Sequence, residues 1–102
     1  AILNLDCEHC QELSVELGKM NKTNKLPDVY AFYFKEGERT VEQFEQMTNT
    51  SFPYVEIDVN TFFDLIGESP PRVYVLNDGA VDAIIDEDIA ITLDKRYPQT
   101  NE

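Results

Sequence analysis

The 102-residue sequence has no tryptophan, one histidine, two cysteines and four glycines, and only 8 basic residues against 20 acidic ones. Each shortage removes a class of function. A structural zinc site wants four nitrogen or sulfur ligands, and one histidine with one cysteine pair does not supply them. A formal charge of −12 repels phosphate backbones, so nucleic acid is excluded as a partner. No run approaches the roughly 18 apolar residues of a membrane-spanning helix, and no signal-peptide pattern is present. Low-complexity tracts and internal repeats are also missing. The first residues, AILNL, are apolar and carry no initiator Met. That start predicts a processed protein or a piece of a longer one, with room for a membrane tether outside this stretch.

What the chain does have is enough for one core: 42% hydrophobic residues, with six Phe and five Tyr as bulk. The expectation is a single domain over residues 1–102. Ala1–Leu5 reads as a buried strand ending at Asp6. Cys10, Leu13, Leu17 and Met20 then recur at helical spacing, with Asp6 placed to cap the helix and Gly18–Asn21 placed to end it. Val29–Phe34 is an aromatic, β-branched strand. Thr40–Met47 carries Val41, Phe44 and Met47 on one helical face. Tyr54–Ile57 reads as a short strand, Thr61–Ile66 as a brief helix stopped by Gly67, and Arg72–Leu76 as a strand. Asn77-Asp78-Gly79 is a hairpin signal, with Val81–Ile85 returning. The tail from Asp86 fits a strand, because Ile89, Ile91 and Leu93 alternate, and fits a helix equally well. The order β-α-β-α-β-α-β-β-tail predicts an α/β sandwich.

The chemistry concentrates in LDCEHCQEL. Cys7 and Cys10 are one helical turn apart at a strand-to-helix junction. Unpaired amides and the positive dipole end there stabilise a thiolate, so the spacing favours a reversible redox couple. A structural disulfide remains open, although it would close little chain and stabilise weakly. Haem attachment through CxxCH is excluded by Gln11. A protonated His9 favours the thiolate, and the carboxylates of Asp6 and Glu8 oppose it, so these three residues tune the couple in opposing directions.

The strand leading into Cys7-Glu8-His9-Cys10, followed by Pro71-Arg72-Val73-Tyr74-Val75-Leu76-Asn77-Asp78-Gly79, resembles the thioredoxin superfamily. The extra sequence around Tyr54–Ile66 looks like its TlpA/ResA-like branch. Similar domains also form soluble ends of bacterial membrane proteins, some of DoxX type. The resemblance implies a thioredoxin-like α/β/α sandwich with a central mixed sheet. It implies catalysis by Cys7 as nucleophile and Cys10 as resolving thiol, with no cofactor beyond the redox-active disulfide. Pro71 would be the cis-proline beside the pair, and Ser69 and Pro70 would complete the substrate contact. Partners would be protein thiols or disulfides and an upstream electron donor, in a bacterial periplasm or cell envelope.

Three departures from the family stand out. Asp6 occupies the usual tryptophan position, and the family's buried acid would fall at Ala1, leaving proton handling to Glu8, His9, another acid or water. If Pro71 is the cis residue, Pro70 before it has no N–H and can offer a substrate strand only its carbonyl; if Pro70 is cis instead, Ser69 keeps both groups for that contact. The reading is a thiol-disulfide oxidoreductase, more a reductase than an oxidase. The competing one is a non-catalytic module of the same fold that senses redox state or docks a partner on a larger membrane protein.

Overall fold

The computed structural model describes residues 1–23, 26–67 and 69–98. Strand β1 (Ile2–Asn4) leads into helix α1 (Glu8–Thr23), and β2 (Ala31–Phe34) into α2 (Val41–Thr48). Then come β3 (Tyr54–Ile57), α3 (Val59–Ile66), the hairpin β4 (Val73–Asn77) and β5 (Ala80–Ile85), and a closing helix α4 (Ile89–Arg96). Strand β2 lies between β1 and β3, parallel to both. Strands β4 and β5 pair antiparallel. One antiparallel bridge, Ile2 with Arg72, joins the parallel strands to the hairpin through two hydrogen bonds of 2.8 and 3.3 Å. The chain is thus an α/β domain with four helices among its described residues and both parallel and antiparallel pairing.

Alternation along the strands sets the layers. Leu3, Ala31, Tyr33, Val73 and Val75 share one core with Leu13 and Leu17 of α1, Phe44 of α2 and Leu93 of α4. A smaller core forms around Ile2, Phe62 and Ile66, with Phe34 and Tyr74 packed against it, and there α3 is the helix that contributes. The Phe34 and Phe62 rings stack with centroids 4.6 Å apart, and the Tyr74 hydroxyl donates to the Leu65 carbonyl.

Local chemistry explains most element ends. Thr40 caps α2 in a reciprocal box with Gln43. The carboxylate of Asp58 accepts from the Thr61 amide, so α3 starts two residues before the sequence pattern suggested. Asp78 and Gly79 adopt φ of 52° and 80°, the left-handed pair that a tight hairpin needs.

Three expectations are corrected. Gly18 does not end α1, which runs on to Thr23. Its missing side chain instead lets Thr50 approach, since a Cβ there would stand 2.9 Å from the Thr50 Cγ2. Asp6 does not cap α1: one of its carboxylate oxygens accepts the Gly37 amide at 2.8 Å. Met47 is 52% exposed, and Thr48 takes its place in the buried face of α2. The ambiguous tail is a helix, with Ile89 and Leu93 buried four residues apart and Ile91 exposed.

Tyr33 is fully buried among Phe44 and Tyr54. Burial first, then the negative charges of Glu45 and Tyr54, push its hydroxyl up to about 12. The unfolded chain releases this proton near pH 10, so the contribution is intact below that and is lost as pH rises through 12. Urea unfolding should show about 2 kcal/mol less stability at pH 11.5 than at pH 9 from this group. Tyr33→Phe should remove that part of the drop; an unchanged pH slope would refute the assignment.

Candidate functional site

The site is built on the turn that leaves β1. The Cys7 amide donates to the Asn4 carbonyl at 3.1 Å, and the Cys7 carbonyl accepts the Gln11 amide at 3.1 Å as the first bond of α1. Cys7 therefore stands just outside the helix, one residue earlier than the spacing suggested, at the end where amides lack intrahelical partners. It is half-buried, whereas Cys10, one turn on, is fully buried. Both are free thiols. The Cys10 sulfur accepts the Asn4 amide at 3.4 Å. Burial pushes the Cys10 thiol far up; the Asn4 amide offsets part of this and the neighbouring Cys7 adds to it.

Asn4 is the residue that the sequence reading missed. Its main chain holds both cysteines, through its carbonyl to the Cys7 amide and its amide to the Cys10 sulfur. Its side chain is buried, accepting from the Asp6 amide at 2.9 Å and donating to the Glu36 carboxylate at 3.0 Å. Arg39 donates to the Leu5 carbonyl at 3.1 Å. The loop after β2 thus braces the cysteine turn from three sides, through Glu36, Gly37 and Arg39. One signal was available: a lone Asn in an otherwise apolar, buried strand must find partners.

No protein-family model, curated protein or solved structure matches the chain.

The remaining expected site residues divide. Glu8 and His9 are exposed, and the His9 Nδ1 lies 3.6 Å from a Glu12 carboxylate oxygen. Exposed pairs of this kind contribute little to stability. Asp6 is exposed and tied to the loop after β2. The Pro70–Pro71 peptide bond is cis. Both prolines are half-buried and share a groove of about 520 Å³ with His9. Ser69 is exposed and does not line that groove. No cluster of three or more His, Cys, Asp or Glu set to hold a metal occurs among the described residues. Among those residues, no helix is long and apolar enough to cross a membrane.

A half-buried cysteine at a helix start, one turn from a fully buried second one, has a defined chemical capacity. The outer thiol can attack an external disulfide, and the inner one is protected from solution yet placed to attack the outer.

Proposed function

We propose that the chain is a thioredoxin-like domain that exchanges disulfides with protein substrates through Cys7 and Cys10, working more as a reductase than as an oxidase. The observation that carries this reading is the unequal exposure of two free cysteines across the first turn of α1. The mixed pairing of the strands and the proline segment beside α1 support it.

In the reducing direction, the Cys7 thiolate attacks one sulfur of a substrate disulfide. That S–S bond breaks, a Cys7–substrate disulfide forms, and the departing substrate thiolate takes a proton from water. Cys10 then gives up its proton to solvent and attacks the Cys7 sulfur. The second substrate thiolate leaves, and two electrons have passed from the cysteine pair to the substrate. A thiol donor must then reduce Cys7–Cys10. The burial that raises the Cys10 thiol slows its premature attack on other disulfides, and formation of the mixed disulfide brings the target sulfur to it. Asp6, Glu8 and His9 would set the balance of charge around the pair, while Ser69, Pro70 and Pro71 would border the substrate. Pro70 offers only a carbonyl to a substrate strand. The envelope of a bacterium is the compartment that this chemistry suits best.

Reduction of insulin by dithiothreitol tests the proposal. The protein should accelerate precipitation, and Cys7→Ser should fall to the uncatalysed rate. A wild-type protein no faster than Cys7→Ser would sink the catalytic reading in favour of a non-catalytic docking or sensing module. The reduction potential of the pair then sets direction: near about −270 mV or below for a reductase, near about −120 mV for an oxidant.

A further inference from the structure

The groove beside the prolines has a chemical character of its own. Its apolar floor includes Leu13 of α1, Pro71 and Ile89 of α4. Four carboxylates line it, Glu12 and Glu16 from α1 and Asp86 and Asp88 from the segment between β5 and α4, and neither lysine nor arginine does. Two of the four already face cations. Lys19 reaches Glu16 at 3.8 Å and Arg72 reaches Asp86 at 3.1 Å. Glu12 faces His9, which carries charge only when protonated. Asp88 sits at φ 49° with its side chain turned to no capping role on α4. Glu12 and Asp88 thus bring negative charge to the groove from its two sides.

Resting on the thiol-disulfide reading, we infer that this groove selects substrate segments carrying lysine or arginine beside the reactive cysteine. An apolar floor takes the chain of the segment, and the carboxylates on either side take its basic side chains. A segment with acidic flanks meets like charge on both walls. Selection of this kind acts mainly on the rate of encounter and weakens with salt.

The test uses three disulfide peptides that differ only in Lys, Gln or Glu flanks, and the second-order rate of their reduction by the reduced protein. The Lys peptide should react about tenfold faster than the Glu peptide at low ionic strength, and under about threefold faster in 0.5 M salt. Glu12→Gln with Asp88→Asn should cut the low-salt ratio at least by half. Glu42→Gln with Glu56→Gln changes the net charge equally on other elements and should leave the ratio standing. Equal rates for the three peptides overturn the inference. So does an equal loss of the ratio in both double variants, which would assign the preference to the overall charge. A second measurement uses the same peptides with serine for cysteine, in a binding titration. If no peptide is reduced, the redox reading fails, and the groove is judged by binding alone: tighter Lys than Glu binding, lost in Glu12→Gln/Asp88→Asn, upholds it, and equal binding overturns it.

Discussion

A short pulse of iodoacetamide at neutral pH should alkylate Cys7 at least about a hundred times faster than Cys10 in the reduced, folded protein. Two effects act in the same direction. Cys10 is fully buried, so the reagent reaches it only after local opening. Burial also holds its proton, and the thiolate is the species that reacts. Cys7 is half-buried and lies just before the first residue of α1. Peptide mapping after the pulse gives both rates from one sample. In urea the two rates should converge, because the difference belongs to the fold. Equal rates in the native protein would mean that the inner sulfur is not shielded, and the proposed two-step exchange would lose its basis.

The second large effect lies away from the sulfurs. Phe44→Ala should destabilise the protein by about 3–5 kcal/mol, a large share of the 5–15 kcal/mol typical of a domain. Phe44 is fully buried, and its ring meets that of Tyr33 edge-on, with centroids 5.3 Å apart. Truncation leaves a void between α2 and β2 that rigid neighbours cannot fill. Urea unfolding would show it as a midpoint lowered by about 1.5 to 3 M. Met47→Ala, three residues along the same helix but half exposed, should change stability by less than about 0.5 kcal/mol. A loss at Phe44 no larger than that at Met47 would place α2 outside the core.

These two residues also show where the sequence is a good guide and where it stops. Val41 and Phe44 were legible as a buried stripe because three-residue spacing puts them on one helical face. Whether Met47 or Thr48 continues that stripe depends on where α1 crosses α2, which no local pattern records. Period changes were informative at the cysteine junction, where a buried strand gives way to an amphipathic helix, and the Asn-Asp-Gly turn announced the hairpin by its backbone needs alone. Gly18 misled because glycine serves two purposes. It ends many helices, and inside this one it makes room for Thr50. Asp6 misled because the capping preference competes with any amide in reach, and that of Gly37 lies 31 positions away.

The site followed the same division. Its sulfurs were visible from spacing, but the bracing of Asn4 by Glu36 spans 32 positions, and the acidic groove draws on α1, the Pro-Pro segment and the start of α4. Contacts of that range exist only once the strands have fixed which loops meet.

The seam between the parallel strands and the hairpin gives the domain a place at which to come apart. Two backbone hydrogen bonds between Ile2 and Arg72 join the pieces, whereas β4 and β5 are paired along their lengths. Cooperativity across the sheet is therefore thinnest at this line, and the hairpin is the natural unit for partial opening. Pro71 is bonded to Arg72 and shares its groove with His9 and Leu13 of α1, so such an opening would move the proline side of that groove away from α1. How often the groove opens would then depend on that one pair of amides and on the core packing that Val73 and Val75 share with Leu3 and Tyr33.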